Sequence, residues 1–79
     1  PAVVDTLGWI LFNGNEQQEG LRLLREAATG APGSVDIQYH FATALSRSGN
    51  AAEAKTIADR MLATNLPPEW REKFQSLAR

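Results

Sequence analysis

The residue types that could do chemistry are few in this chain of 79 residues, and their spacing gives them no partners. His40 is the single histidine, and one histidine with scattered carboxylates and no cysteine makes a poor metal site. Ser34, Ser46 and Ser48 have no base at a plausible spacing and no glycine elbow around them. The stretch 30–33 contains two glycines but lacks the lysine of a phosphate-binding loop. The sequence therefore predicts no enzyme activity, no metal and no cofactor.

Asp5 and Asp36 lie in the first turns of predicted helices. The positive end of a helix dipole favours a carboxylate at such a position. This placement accounts for both residues without general acid–base catalysis.

Composition argues against several classes of partner. The chain has 8 Lys and Arg residues, 9 Asp and Glu residues and a formal net charge of −1, so nucleic acid and anionic membranes exert no bulk attraction. The longest strongly apolar stretch, Trp9–Phe12, is far too short to span a bilayer, so we expect no direct membrane insertion. No basic region precedes an apolar segment near the first residue, which predicts no signal peptide. A chain that begins at Pro1 without Met is expected to be a fragment of a longer protein.

Glycine, asparagine and proline divide the chain into five segments of helical length. Within the segments apolar residues recur three and four positions apart, as they do on one face of a helix. No segment alternates apolar and polar residues for long enough to form a strand. The sequence predicts an all-α chain with helices at about residues 2–13, 16–29, 34–48, 51–65 and 68–78.

The breaks between segments carry candidate capping residues. Asn50 with Glu53, and Asn15 with Gln18, have the spacing of a capping box at a helix start. Glycine ends a helix in the left-handed conformation at little steric cost. The glycines expected to do so are Gly14, Gly30 and Gly49. Pro68 suits the first turn of the last helix.

A repeat of 34 residues is the strongest feature of the sequence. It aligns Leu7 with Phe41, Gly8 with Ala42, Leu11 with Leu45, Gly20 with Ala54, Leu24 with Ala58 and Ala27 with Met61. This period and its helix–turn–helix unit resemble the tetratricopeptide repeat. The resemblance implies a helix-turn-helix solenoid in a single domain over residues 1–79. Its parts would be repeat one at 1–33, repeat two at 34–67 and a C-terminal capping helix at 68–79.

The resemblance also explains why a helix would carry a glycine in its interior. It places Gly8 and Gly20 where the two helices of the first repeat cross, and Ala42 and Ala54 at the same crossing in the second. A glycine costs a helix interior about 1 kcal/mol relative to alanine. We expect close packing of the backbones to offset that cost. The main departure from the family pattern is Gln38, because this position most often holds Trp.

The first predicted helix is apolar on nearly all sides, which a helix with one solvated face cannot be. Its apolar residues are Val3, Val4, Leu7, Trp9, Ile10, Leu11 and Phe12. One face must pack on the second and third helices, and the other needs a cover. That cover is an upstream repeat, a second copy of the chain or a ligand peptide, and the sequence leaves the three open.

In the family that the chain resembles, the first helix of each repeat lines a concave groove that binds a partner. The groove residues would be Asp5, Trp9, Phe12 and Asn13 from the first repeat, and Tyr39, Thr43, Ser46 and Arg47 from the second. Aromatic rings are good anchors for an apolar segment. The resemblance thus implies a non-catalytic module of a larger scaffold that binds a peptide or helix of a partner protein. Two alternatives are that Trp9 and Phe12 are simply buried against a missing neighbour, and that the chain is a solenoid end that self-associates as a homodimer through its first helix.

Two finer comparisons within the family are possible. Some members hold a partner's C-terminal carboxylate with Lys and Asn, but Asp5, Trp9 and His40 occupy those positions here, so we predict that this clamp is absent. The stretches 5–9 and 39–42 are similar to the last repeats of bacterial lipoproteins associated with PEP-CTERM sorting and exopolysaccharide systems. That similarity would imply a bacterial scaffold in the periplasm. If the similarity does not hold, we expect a cytoplasmic scaffold.

Overall fold

The computed structural model describes all of residues 1–79 and contains five α-helices. Their bounds are α1 Ala2–Asn13, α2 Gln17–Gly30, α3 Val35–Arg47, α4 Ala51–Leu62 and α5 Pro68–Ala78. The all-α prediction is confirmed, and the predicted bounds agree to within one residue except at the end of α4. None of the five helices is both long and apolar enough to cross a membrane.

The helices form two layers. Each helix packs against its neighbours in sequence, and α3 also contacts both α1 and α5. Hence α1, α3 and α5 lie side by side, with α2 and α4 behind them. The core lies between the layers, where Leu24, Leu45 and Phe74 are the largest fully buried side chains. The outward surface of the first layer is called the α1–α3–α5 face below.

The glycine in the interior of α1 marks the closest approach of two backbones. A Cβ atom built on Gly8 would lie 3.0 Å from the carbonyl oxygen of Gly20 and 3.0 Å from the backbone nitrogen of Leu24. A Cβ atom on Gly20 would lie 2.6 Å from Cα of Phe12 and 2.7 Å from the carbonyl oxygen of Gly8. The structure therefore places α1 across α2 at this glycine pair, as the sequence predicts. In the second repeat, Ala42 and Ala54 are both buried.

Gln38 occupies the position where the family most often has tryptophan, and it makes hydrogen bonds there where a tryptophan would pack its ring. Its buried side-chain amide donates to the carbonyl oxygens of Ala28 at 2.9 Å and Ala31 at 3.1 Å. The last carbonyls of a helix have no partner within the helix itself. Gln38 supplies such a partner at the end of α2 and so ties α3 to it.

The fourth helix ends at Leu62, three residues before the predicted end at 65. The hydroxyl of Thr64, two residues beyond this end, donates to the carbonyl oxygen of Met61 at 2.6 Å. The Arg71 guanidinium, which comes from α5, then donates to the carbonyl oxygens of Leu62 at 3.3 Å and Thr64 at 3.2 Å. A side chain of α5 thus binds carbonyl groups at the end of α4.

The predicted capping boxes are wrong. The side chain of Asn50 makes no capping hydrogen bond and donates instead to the hydroxyl of Ser48 at 3.2 Å. Glu53 does not reach back to Asn50, because its carboxylate pairs with Arg25 across the α2–α4 contact. At the start of α2 the capping position falls on Glu16, again with no side-chain hydrogen bond.

The glycine prediction is correct at one position of three. Gly49 has a φ of +89° and ends α3 in the left-handed region. Gly14 has a φ of −98°, and Gly30 is the last residue of α2 rather than a cap beyond it. Of the three helix ends, only the one at Gly49 has a residue in the left-handed conformation.

Candidate interaction groove

An acidic side chain of α1 and the single histidine form a pair across the α1–α3 contact. Nδ1 of His40 lies 3.0 Å from each carboxylate oxygen of Asp5. Asp5 is buried, while the His40 ring remains partly exposed. A buried carboxylate needs such a partner, because an unpaired charge away from water is costly. Asp5 therefore positions His40 rather than offering its own charge to a ligand.

Trp9 lies at the centre of this end of the α1–α3–α5 face. Its ring stacks on that of His40, with centroids 4.7 Å apart and planes at 21°. The guanidinium carbon of Arg47 lies 5.7 Å from the centroid of the Trp9 ring. Trp9 is half-buried, so it is held by contacts from α3 and still presents surface to solvent.

Asn13 fixes the position of Arg47. Its amide nitrogen donates to the carbonyl oxygen of Trp9 at 2.8 Å. Its amide oxygen accepts from Nη1 of Arg47 at 3.2 Å. Both residues are exposed, so this part of the face carries a positioned cation beside an aromatic ring.

Phe12 does not line the groove as predicted. It is 2% exposed and belongs to the hydrophobic core, where its ring lies 6.3 Å from that of Trp9. The helical turn directs Phe12 inward toward α2, whose Gly20 leaves room for its backbone. Phe12 therefore supports Trp9 from beneath and cannot be a contact residue in this arrangement.

Thr43 is also buried, and its hydroxyl oxygen has no hydrogen-bond partner. It lies on α3 between His40 and Arg47, one turn from each. Ser46, the remaining groove candidate from the second repeat, is exposed.

The predicted site falls into two clusters. Asp5, Trp9, Asn13 and Arg47 come together with His40 at the α1 end. Tyr39 instead packs edge-on against two rings of α5, with centroids 5.6 Å from Trp70 and 5.7 Å from Phe74. Nζ of Lys73 lies 5.6 Å from the Tyr39 ring and 4.7 Å from the Trp70 ring.

A shallow depression of about 410 Å³ lies beside Tyr39 at the α5 end. Its wall is formed by Tyr39, Glu69, Glu72, Lys73, Ser76 and Leu77. Each end of the face thus has an aromatic surface next to a cation, although exposed acidic side chains accompany the cation only at the α5 end, since Asp5 is buried. No group of three or more His, Cys, Asp or Glu side chains could hold a metal ion anywhere in the structure.

Sequence reasoning placed His40 on this side of α3 but missed its contacts with Asp5 and Trp9, and it missed the contributions of Trp70 and Lys73. The repeat could have indicated the contacts of His40, since His40 lies one residue beyond the repeat equivalent of Asp5 and so on the neighbouring helix of the same layer. Helical spacing could have indicated the others, since Lys73 lies three residues after Trp70 and therefore on the same side of α5.

A comparison with family models decides the family. The tetratricopeptide-repeat model matches residues 17–75, which is well over half of the chain. The chain belongs to the tetratricopeptide-repeat family. The match includes α2, α3, α4 and most of α5, whereas α1 precedes it. A search of curated proteins found no significant match, and a search of solved structures found none either.

Membership in the tetratricopeptide-repeat family confirms the resemblance seen in the sequence and the helical-repeat solenoid fold. Repeats of this family generally serve as non-enzymatic protein-interaction modules. The division into repeats at 33/34 and 67/68 stays a prediction.

Proposed function

We propose that this chain is a non-catalytic interaction module of a larger scaffold and binds a peptide or helix of a partner protein across the α1–α3–α5 face. The observation that carries the proposal is the arrangement around Trp9. Its ring is stacked on His40, flanked by Arg47 and still partly open to solvent. Aromatic side chains held in a fixed geometry dominate the binding energy of many protein interfaces, with arginine among their frequent companions.

Each end of the face would have its own role. At the α1 end, Trp9 would take an apolar side chain of the partner, while Arg47 and Asn13 would set its polar register. At the α5 end, Tyr39 and Lys73 border the shallow depression and would take a second side chain. Asp5, Phe12 and Thr43 are buried and would act through the residues that they support.

Selection from a displayed library of random peptides tests this proposal without a known partner. We expect enriched peptides whose addition shifts the NMR signals of the Trp9 indole and the Arg47 guanidinium. Trp9→Ala should weaken such a peptide by about tenfold or more, the size typical of a hot-spot residue. Arg47→Ala should weaken it less and, because Arg47 is exposed, should leave the fold intact.

The matched control is Arg60→Ala, which removes an exposed arginine from α4 in the other layer. It should leave peptide affinity unchanged. The proposal is wrong if the enriched peptides shift signals of α2 and α4 instead, or if Trp9→Ala binds them as well as the parent chain does.

Self-association is a second candidate function, and a different surface favours it. The exposed large hydrophobic side chains of the chain are Val3, Leu7 and Ile10, and all three belong to α1. They do not belong to the Trp9 cluster. A chain that self-associates through them would still present its α1–α3–α5 face.

A further inference from the structure

Exposed charges differ in their pairing between the two layers of helices. On α2 and α4, three of the four Lys and Arg side chains form a salt bridge with a carboxylate of the same layer. On the α1–α3–α5 face, the exposed side chains of Arg47, Glu69 and Glu72 form none. Because these three charges have no ionic partner within the chain, they are available to a partner that binds the face.

Arg47 is the exposed ionisable side chain at the α1 end of the face. Its Nη1 atom donates to the amide oxygen of Asn13 at 3.2 Å, while its Nε and Nη2 atoms have no hydrogen-bond partner. These two nitrogens form one edge of the planar guanidinium, and a carboxylate can bind such an edge with two parallel hydrogen bonds. Asp5 does not compete for it, because Asp5 is buried and paired with His40. The α1 end therefore favours an acidic group.

The α5 end has the opposite character. Glu69 and Glu72 are exposed in the wall of the depression beside Tyr39. Nζ of Lys73 lies over the rings of Tyr39 and Trp70, and it forms no salt bridge with either glutamate. Two carboxylates and one ammonium group leave this end negative. The depression therefore favours a basic side chain, which would find an aromatic wall and two carboxylates there.

We propose that the partner segment carries charges in a fixed order across the face. An acidic side chain, next to the apolar one that contacts Trp9, pairs with Arg47. A basic side chain enters the depression beside Tyr39 and pairs with Glu69 and Glu72. Complementary charges of this kind set the register of a complex and reject wrong partners. The inference rests on the proposed function and adds to it the charge pattern of the partner.

Helix α3 sets the spacing between the two charges. Tyr39 and Arg47 lie eight positions apart on this helix, which is about 12 Å along its axis. An extended segment advances about 3.3 Å per residue, so its acidic and basic side chains would be at least about four residues apart. A helical segment would need about eight residues, since it advances about 1.5 Å per residue.

Selection of displayed random peptides on the parent chain and on R47E/E72K tests this charge pattern. The double variant exchanges the two charges without changing the net charge of the chain, and both positions are exposed, so it should keep the fold. The parent chain should enrich peptides with an acidic side chain next to the apolar one and a basic side chain at the stated spacing. R47E/E72K keeps Trp9 and Tyr39 and should enrich peptides with the two charges exchanged.

The affinity of one enriched peptide gives the quantitative test. The peptide is amidated at its C-terminus, so that its carboxylates are side chains. R47E/E72K should bind it about tenfold more weakly than the parent chain at low salt, because two exposed ion pairs become contacts between like charges. Exchange of the acidic and basic residues of the peptide should reverse this preference, and added salt should reduce it. The matched control R60E/E26K exchanges exposed charges of α4 and α2, again at constant net charge, and should bind like the parent chain.

A double-mutant cycle identifies the residue that each charge of the peptide contacts. Replacement of the acidic residue of the peptide by Gln should weaken binding to the parent chain about threefold and should have no effect on binding to R47Q. Replacement of the basic residue should behave in the same way with E69Q/E72Q. An acidic residue whose loss weakens binding to the parent chain and to R47Q equally does not contact Arg47, and the inference is then wrong.

Failure of the inference and failure of the proposed function give different results. Peptides that require Trp9 but bind R47E/E72K as tightly as the parent chain would keep the face as the binding surface and overturn the charge pattern. Enriched peptides that shift the NMR signals of neither Trp9 nor Arg47 would overturn the proposed function, and the charge pattern with it.

Discussion

Helices α1 and α3 hold equivalent places in the 34-residue repeat and have different surroundings. Both pack inward on the helix that follows them, and both contribute to the α1–α3–α5 face. On its remaining side, α3 is covered by α2, while α1 is open. The same repeat position therefore serves as core in one helix and as surface in the other.

This difference shows that burial in a repeat protein depends on neighbours as much as on residue type. Phe41 and Leu7 are both large and apolar, yet Phe41 is buried and Leu7 is not. In a stack of repeats each unit contacts only adjacent units, so an end unit keeps one face without a partner. The sequence of α1 is suited to a covered position, as its apolar character on nearly all sides indicates.

The largest predicted effect comes from truncating the same repeat position in the two helices. Phe41→Ala should lower the free energy of unfolding by about 3–5 kcal/mol, since it removes a buried ring and leaves a cavity. Leu7→Ala should lower it by about 1 kcal/mol or less, because Leu7 already contacts water. Urea unfolding followed by circular dichroism, at a concentration low enough to keep the chain monomeric, measures both values.

Equal losses in the two variants would contradict the comparison. They would mean that the outer side of α1 is buried in solution even in the monomer. Comparison of the urea midpoints at two protein concentrations shows whether association contributes to either value.

The second predicted effect concerns the helix crossings. Gly20→Ala should lower the free energy of unfolding by about 1–3 kcal/mol, because its Cβ atom would press on the backbone of Phe12 and the carbonyl oxygen of Gly8. Gly8→Ala should cost less, since its nearest atoms are 3.0 Å away and alanine favours the helix. The second repeat already tolerates alanine at both equivalent positions, Ala42 and Ala54.

Gly33→Ala is the matched control for these variants. Apart from Gly33 itself and its two neighbours in the chain, no residue has an atom within 4 Å of the position of this Cβ atom, so we expect stability close to that of the parent chain. If Gly20→Ala is as stable as this control, α1 and α2 pack less closely at Gly8 and Gly20 than the structure shows. The helix crossings of both repeats would then accept alanine.

The elements that the sequence predicts well are those that depend on local period and on the repeat. The five helices follow from apolar spacing and turn residues, and the small residues at the crossings follow from the alignment of the two repeats. Both signals are present within a few turns of chain or recur at a fixed distance.

Contacts between side chains on different helices are the part that local reasoning misses. Glu53 has the spacing to cap α4 but binds Arg25, which lies 28 residues away in sequence. Trp9 and Phe12 are similar in type and three residues apart, yet one faces His40 and the other enters the core. The contact that each side chain makes depends on how the helices pack, and residue type alone does not determine it.

The smallest predicted effect concerns the contacts of Arg25, which join α2 to Phe41 of α3 and to Glu53 of α4. Arg25 lies over the Phe41 ring and donates from Nη1 to Oε2 of Glu53 at 2.7 Å, and from Nη2 to Oε1 at 3.1 Å. Its guanidinium lowers the pKa of Glu53 below the ordinary value. Because the pKa is lower in the folded chain, the pair stabilises the fold at neutral pH and loses this effect as pH falls through the folded pKa.

Glu53→Gln should therefore be less stable than the parent chain at pH 7, and the difference should disappear as pH falls through the folded pKa of Glu53, below which the carboxylate is protonated in both states. The side chains of Arg25 and Glu53 are 51% and 41% exposed, so solvent screening limits the difference to about 0.5 kcal/mol. Glu26→Gln, which neutralises an exposed carboxylate of α2 that forms no salt bridge, is the control for the loss of a surface charge. A difference for Glu53→Gln that persists unchanged at low pH would mean that Glu53 acts through packing. In that case the contact between Arg25 and the Phe41 ring, and not the Arg25–Glu53 ion pair, would hold α2 on α3. The open side of α1 would then differ from α3 by the absence of a contact like that between Arg25 and Phe41.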